Sequence, residues 1–217
     1  MLSSLKDLEN LGLILHNPDQ ETQRWVNRLP QRVSLKSLKQ YHLKLREDTF
    51  LRQGENMEYM SFLIGWSQSL KHLSNLESLS LDVTFLLLFS LNFFTDALAN
   101  LQNLKRIKLN LMLNPAQIKE GLKFVIPPGN LPKLESIWLG FSQYVSKYSA
   151  EKLLQDLPHC DNLQSLNVSG LAFDEETSIS TLKKLAHLKT LQIETHSKHT
   201  LRMNSKKEIV KCKPTAL

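Results

Sequence analysis

Residues 73–81 read Leu73-Ser-Asn-Leu76-Glu-Ser-Leu79-Ser-Leu81, a string in which leucine recurs at fixed spacing. The final Leu-x-Leu alternates apolar and polar residues, which is the pattern of a short strand with one buried face. The same string recurs without gaps further along the chain, with other apolar residues at some leucine positions. These copies are Leu101–Leu109, Leu131–Leu139, Cys160–Val168 and Leu185–Ile193.

The spacing of the copies is nearly constant. Their last apolar residues fall at 81, 109, 139, 168 and 193, so the steps between successive copies are 28, 30, 29 and 25. Two weaker copies, Leu8–Leu13 and Leu38–Leu43, add a step of 30 and then one of 38 before Leu81. Such a period indicates units that stack and share one core, because no single unit can bury its apolar face alone.

With this period, the chain resembles leucine-rich-repeat proteins of the ribonuclease-inhibitor-like class over residues 5–195. The resemblance implies an α/β leucine-rich-repeat solenoid of about seven repeats, with a parallel β-sheet on the concave face and helices on the convex face. The asparagine or cysteine that usually stands three residues after the Leu-x-Leu is missing, so the buried side-chain ladder of many members of this class is expected to be absent or altered. Its places are held by Thr84, Met112, Ser142, Leu171 and His196.

The segments between the strings carry helical patterns and set the expected domain organisation. We expect a leucine-rich-repeat domain over residues 1–195, with an insertion at about 46–70, and a basic C-terminal tail over residues 196–217. A helix over residues 55–73 accounts for the insertion, with Met60, Leu63, Trp66 and Leu70 facing inward. Other helices are predicted over residues 92–101, 114–127, 149–157 and 174–186.

Charge is concentrated at the C-terminal end. The formal net charge is +6, and residues 182–217 alone carry nine basic and two acidic residues, so the rest of the chain is nearly neutral. This end is expected to be solvated, with contacts to nucleic acid, an acidic protein surface or anionic lipid as alternatives. No aromatic residue interleaves it, which disfavours RNA binding by base stacking. The possible electrostatic contacts are Arg202, Lys206, Lys207, Lys211 and Lys213.

Cysteine usage and hydropathy favour an intracellular, cytoplasmic location without a membrane span. Cys160 and Cys212 are far apart, and the chain lacks the cysteine-rich caps typical of extracellular repeat proteins. The most apolar run, residues 83–94, is far shorter than the roughly 20 residues that a membrane helix needs.

The sequence predicts no enzymatic activity, no cofactor and no metal site. It contains no phosphate-binding glycine loop, zinc-binding His-Glu-x-x-His or nucleophile-elbow string. His159-Cys160-Asp161 is the most enzyme-like triplet, but Cys160 holds an apolar repeat position and is expected to be structural. His196 and His199 lack a nearby third ligand for a metal.

The strand pattern also predicts which residues face away from the core. Because alternate side chains of a strand point to opposite faces, the neighbours of Leu79 and Leu81 line the concave face. Seven strands would make that face about 30 Å wide, which is adequate for a protein partner. Trp138 is the strongest candidate for an interface hot spot, and packing against its own neighbours is the structural alternative. The candidate partner-binding residues are Trp138, Arg106, Lys108, Asn110, Ser80, Asp82, Asn167, Gln192 and Glu194.

The sequence therefore favours a non-enzymatic protein–protein interaction scaffold, a structural or regulatory component of a larger intracellular complex. One alternative is a substrate-receptor adaptor for ubiquitin transfer, which would need its helical adaptor module within residues 46–65. Another is an RNA-associated subunit that binds nucleic acid through its basic C-terminal end.

Overall fold

Nine strands form one sheet in the part of the chain that the computed structural model describes, and they follow one another in sequence order. They are β1 (Asn10–His16), β2 (Gln40–Arg46), β3 (Ser78–Leu87), β4 (Arg106–Leu113), β5 (Ser136–Val145), β6 (Ser165–Leu171), β7 (Thr190–Glu194), β8 (Thr200–Met203) and β9 (Ile209–Cys212). Neighbours from β1 to β7 pair in parallel, and β8 and β9 continue the sheet in antiparallel orientation.

The structure describes residues 5, 7–32, 35–46, 56–87, 92–113, 131–145, 160–171, 179–180, 182–183, 185, 187–194, 200–204 and 208–212. Several predicted features lie outside these residues. They are the helices over 114–127 and 149–157, most of the helix over 174–186, and His159, His196, His199, Lys206, Lys207 and Lys213.

Equivalent residues of the repeat strings lie side by side in the sheet. Leu79 of β3 pairs with Tyr41 on one side and with Ile107 on the other, and all three are buried. The alternation along each strand then places every second side chain in one shared apolar core. The row continues through Ile137, Leu166 and Leu191.

The backbone bonds between successive parallel strands repeat in the same form. Lys39 and Gln40 both donate their N–H groups to the carbonyl of Glu9, at 2.8 and 3.0 Å. Within each string a turn precedes the strand, as where Leu76 N–H donates to the Leu73 carbonyl at 3.0 Å. Because the turn and the inter-strand hydrogen bonds repeat in the same form, equivalent residues of successive strands stay in register. The carbonyls that accept the paired N–H groups are those of Glu9, Lys39, Glu77, Lys105, Glu135 and Gln164.

Three helices are described, each in the connection between two of the first four strands: α1 (Gln20–Arg32), α2 (Asn56–Leu70) and α3 (Asn92–Leu98). With the sheet they confirm an α/β fold whose large sheet is mostly parallel. The helices predicted over 55–73 and 92–101 are present, each ending three residues earlier than expected.

Helix α1 was not predicted from the sequence, and it begins with a capping interaction. Asp19 accepts a hydrogen bond from Thr22 N–H at 2.8 Å, and this bond lowers the pKa of the Asp19 carboxyl. Gln23 Nε2 donates to the Pro18 carbonyl at 2.9 Å, which fixes the chain just before the helix.

Aromatic side chains join the helices to the sheet. Trp66 of α2 contacts Tyr41 of β2 edge to face, with ring centroids 5.8 Å apart, and stacks on Phe94 of α3 at 6.0 Å. All three rings are buried. Leu63 and Leu70 of α2 are buried beside them, as the helical pattern predicted.

An asparagine ladder runs outside the strands, at the third position of the repeat string. Asn75 Nδ2 donates to the Lys36 carbonyl at 2.7 Å, and Asn103 Nδ2 donates to the Ser74 carbonyl at 2.9 Å. Asn162 makes the equivalent bond to the Pro132 carbonyl. Each of these amides thus binds the backbone of the preceding unit, at a different place from the ladder of the family that the sequence resembles.

The described residues of the C-terminal segment, 200–204 and 208–212, depart from the prediction of a solvated tail. Leu201 of β8 pairs with Ile193 of β7 and is buried, and Thr200 beside it is 8% exposed. Strand β9 then pairs with β8. The physical reason is that Leu201 is apolar and continues the buried row of the core. The prediction from the sequence considered the net charge of the segment and not this single leucine.

Candidate partner-binding face

The residues predicted to face away from the core lie in register across the sheet. The middle row runs through Gly12, His42, Ser80, Lys108, Trp138, Asn167 and Gln192. We call the surface formed by this row and the outward residues on either side of it the open face. The row before it contains Ser78, Arg106, Ser136, Ser165 and Thr190, and the row after it contains Lys44, Asp82, Asn110, Gly140 and Ser169.

A cation–π contact lies at the centre of the open face. Lys108 of β4 and Trp138 of β5 are direct register partners, and Lys108 Nζ lies 4.7 Å from the centroid of the indole ring. The tryptophan is half-buried and the lysine is exposed. The quadrupole of the ring attracts the ammonium, so this contact favours one orientation of the indole.

Gly140 makes room for the indole. It follows Trp138 by two residues on the same strand face, and a Cβ atom at this position would lie 2.6 Å from Trp138 Cη2. The same atom would lie 3.0 Å from Asn110 Oδ1. The ring therefore rests directly over the backbone of residue 140, which makes Gly140 buried even though it belongs to the open face.

A polar network spans three strands next to the tryptophan. The Asp82 carboxylate of β3 forms an ion pair with Lys44 Nζ of β2 at 2.6 Å, and it accepts a hydrogen bond from Asn110 Nδ2 of β4 at 3.0 Å. The Lys44 and Asp82 side chains are 23% and 16% exposed, respectively. In such a half-buried pair, each charge has lost part of its contact with water, and the opposite charge of its partner compensates for this loss.

The charge that remains on this part of the face is positive. Asp82 neutralises Lys44, whereas Arg106 and Lys108 on β4 are exposed and separated by one residue. His42 Nδ1 lies 2.8 Å from Ser80 Oγ in the row that leads to them. The centre of the open face therefore combines two exposed cations with a half-buried indole.

The remaining predicted residues lie towards the C-terminal end of the sheet. Asn167 is half-buried in β6, and Gln192 and Glu194 are exposed in β7. Gln192 is the direct register partner of Arg202 in β8, so Arg202 extends the middle row by one strand. Lys211 lies in β9. Of the predicted C-terminal cations, Arg202 thus joins the open face.

A charged row at the start of the parallel strands was missed by the sequence reasoning. Lys39 Nζ lies 2.6 Å from Glu9, and Lys105 Nζ lies 2.9 Å from Glu77. The hydrogen bond from Lys105 lowers the pKa of the Glu77 carboxyl, and the bond to Glu9 raises the pKa of the Lys39 ammonium. The sequence does contain a signal for this row, because acidic and basic residues alternate at the position directly after the second leucine of each repeat string. These residues are Glu9, Lys39, Glu77, Lys105 and Glu135.

Three further features of the described residues concern metal binding, surface depressions and membrane spans. Among these residues, no three histidine, cysteine or acidic side chains lie close enough together to hold a metal ion. An open depression of about 410 Å³ is lined partly by the paired Glu9, Lys39 and Glu77 side chains. Of the described helices, none has the length and apolar character needed to cross a membrane.

No protein-family model matches the sequence, and no curated protein shows significant sequence similarity to it. The functional conclusion therefore depends on the geometry and chemistry of the open face.

Proposed function

We propose that this chain is a non-enzymatic leucine-rich-repeat scaffold that holds another protein against the open face of its sheet. In this proposal the sheet is the concave side of a solenoid of about seven repeats, and helices cover the convex side. The scaffold serves as a structural or regulatory subunit of a larger intracellular complex. The scarcity of cysteine, with Cys160 buried at an apolar position of its repeat, supports a reducing compartment.

The observation that carries the proposal is the Lys108–Trp138 centre of the open face. Tryptophan and arginine are enriched among the residues that contribute most to protein–protein binding, and such residues cluster near the middle of an interface. Lys108 favours one orientation of the Trp138 indole, and the missing Cβ at Gly140 leaves room for the ring there, so part of the rotamer freedom of Trp138 is already lost before a partner covers it. Arg106 lies in the neighbouring row and is exposed.

The arrangement of the rest of the face supports a protein partner rather than a small ligand. The outward rows are long, mostly polar and spread over many strands, which suits an extended contact surface with a polar rim. The segment proposed for a ubiquitin-transfer adaptor includes most of α2, where Phe62 and Leu63 are buried in the shared core. That burial favours the scaffold over the adaptor.

The test compares two tryptophan substitutions in one partner-binding assay. Trp138→Ala removes the centre of the open face, and Trp25→Ala is the matched control, because Trp25 is 42% exposed on helix α1. The partner is identified by quantitative affinity purification with the wild-type chain and then reconstituted with purified proteins. We expect Trp138→Ala to weaken binding by about 30-fold or more and Trp25→Ala to leave it unchanged.

Two results would contradict the proposal. One is a folded Trp138→Ala variant that binds the reconstituted partner with wild-type affinity. The other is a partner that proves to be nucleic acid, with an affinity that falls steeply with salt and is lost on nuclease treatment.

A further inference from the structure

Strand β1 leaves one edge of the sheet open in the described part of the chain. It is the first strand in the order of the sheet, and it pairs with β2 along one of its two edges. Its core-facing residues Leu11, Leu13 and Leu15 are only partly buried, whereas their register partners in β2 are fully buried. Ile14 is 59% exposed, more than any other large apolar side chain described.

The chemistry of β1 does not protect this edge. Exposed edge strands usually carry lysine, proline or inward-facing charge, which prevents pairing with another chain. The strand reads Asn-Leu-Gly-Leu-Ile-Leu-His and contains none of these. Among the described residues, no strand pairs with this apolar edge, so it can serve as a template for another strand.

The backbone groups on the outer side of β1 can be assigned from its bonds to β2. The Glu9 carbonyl accepts from Gln40 N–H, and Asn17 N–H donates to the Arg46 carbonyl. Because successive residues of a strand direct their N–H and C=O groups to alternate sides, Leu11, Leu13 and Leu15 bond towards β2. The groups of Asn10, Gly12, Ile14 and His16 point to the outer edge.

The strand is complementary to itself when two copies run antiparallel with Leu13 opposite Leu13. This register pairs every residue of the strand, and it places Gly12 opposite Ile14 and Asn10 opposite His16. These pairs are the ones whose backbone groups point outward, so they can exchange both hydrogen bonds. A Cβ at Gly12 would meet no atom within 4 Å, so each exposed Ile14 side chain has space over the glycine of the other copy.

We propose that the β1 edge is a homodimer interface, in which two copies join through antiparallel β1 strands about a two-fold axis at Leu13. The three leucines of each copy then meet and close the open end of the core, which removes their remaining exposure to water. Both open faces lie on the same side of the joined sheet. The dimer presents two equal binding faces, although its existence does not depend on the proposed function.

The first test is the oligomeric state of the full chain, measured by analytical ultracentrifugation over a concentration series. The wild type is expected to reach the dimer mass as concentration rises. Ile14→Lys introduces charge at the edge without touching the core, and Ile64→Lys is the matched control on an exposed position of α2. We expect Ile14→Lys to raise the dimer dissociation constant by about tenfold or more, and Ile64→Lys to leave it unchanged.

The second test fixes the register by cross-linking. In a background of Cys160→Ala and Cys212→Ser, cysteine is introduced singly at position 11, 13 or 15, and disulfides are formed with oxidised glutathione. The two-fold axis places position 13 opposite itself at a Cα separation of about 4.5 Å, which a disulfide can span. Leu13→Cys should give a covalent dimer, whereas Leu11→Cys and Leu15→Cys should cross-link only when mixed with each other.

Each of three outcomes would overturn this proposal. They are a wild-type chain that stays monomeric throughout the series, a dimer that Ile14→Lys and Ile64→Lys affect equally, and cross-links that do not follow the stated register. Circular dichroism of every variant confirms that the fold is retained. A monomeric wild type would leave the partner-binding proposal untouched, because that proposal is tested at Trp138.

Discussion

Lys108 Nζ lies 4.7 Å from the centroid of the Trp138 ring, across the junction between β4 and β5. The contact joins two neighbouring repeat strings through side chains that face away from the core. It therefore links the stacking of the units to the residue that we propose as the centre of partner binding.

Loss of the charge at position 108 is expected to destabilise the fold slightly. Lys108→Met keeps the length of the side chain and removes the ammonium, so the free energy of unfolding should fall by about 0.5–1 kcal/mol. Urea unfolding of Lys108→Met, Trp138→Leu and the double variant gives the coupling energy. Strictly additive effects would show that the 4.7 Å contact contributes nothing to stability.

Two glycines on neighbouring strands should respond differently to alanine. At Gly140 the added Cβ meets the end of the Trp138 ring, which can swing away, so we expect a stability loss below about 1 kcal/mol and a shift in tryptophan fluorescence. Gly170 has a φ of 78°, and its Cβ would meet the backbone carbonyl of Phe141. Gly170→Ala should therefore cost about 1–2 kcal/mol or more.

Thermal and urea unfolding of the two variants measure this contrast. Equal losses at the two positions would mean that the indole is not free to move. A loss at Gly140 larger than at Gly170 would contradict the assignment of backbone strain to residue 170.

The Glu77–Lys105 pair is expected to make stability depend on pH in the acidic range. The pKa of Glu77 lies below its ordinary value of 4.5 in the folded chain, because Lys105 donates a hydrogen bond to the carboxylate. Because the pKa of Glu77 is lower in the folded state than in the unfolded state, the ionised carboxylate stabilises the fold. This stabilisation is complete above the unfolded-state pKa and is lost as the pH falls through the folded-state pKa. Glu77→Gln should therefore flatten the fall in stability below about pH 4.5.

Urea unfolding at neutral pH and at a series of acidic pH values measures this slope. Glu135→Gln is the matched control, because Glu135 holds the same position in its repeat and forms no ion pair with the described residues. If both substitutions flatten the curve equally, the Glu77–Lys105 bond is not the source of the pH dependence.

Removal of the buried Tyr41 hydroxyl is expected to be harmless. Tyr41 is 2% exposed, and its hydroxyl makes no well-formed hydrogen bond to the described residues. Burial raises the pKa of this phenol, and the indole N–H of Trp66 opposes the rise only in part. Tyr41→Phe relieves the burial of the hydroxyl but also removes its weak interaction with the buried indole N–H of Trp66, so the free energy of unfolding should change by less than about 1 kcal/mol.

Tyr41→Ala serves as the control, since it also removes the ring that contacts Trp66. Its loss should be about 3–5 kcal/mol, in the range of large aromatic truncations. A clear loss of stability in Tyr41→Phe, measured by urea unfolding, would show that the hydroxyl has a structural partner.

The registration of the strands and the composition of the outward rows could be predicted from the repeat string. The pairing of Leu79 with Tyr41 and Ile107 follows from the alignment of the strings, and the position of Trp138 beside Lys108 follows from the same alignment. The alternation of a strand has a period of two, so once the buried leucines are known the opposite face is known as well.

Elements outside the strings were less predictable. Helix α1 is mostly polar and contains Pro30, which locally disfavours a helix, and its buried side is short, with Val26 and Leu29 in the core. The cap at Asp19 and packing against α2 accompany it in the structure. Strands β8 and β9 are short and lie in a segment whose charge suggested exposure. Pairing with the backbone of β7 stabilises β8, and this partner cannot be read from local composition.

By itself, the sequence determined that units of similar length stack and which side chains they bury, because burial of leucine acts at every copy in the same way. Only the tertiary structure decided how the outward side chains pair: Lys108 with Trp138, Asp82 with both Lys44 and Asn110, and Lys105 with Glu77. These contacts depend on rotamers and distances between units that are far apart in the chain. The repeat pattern makes such residues neighbours, but the geometry of packing selects which of them interact.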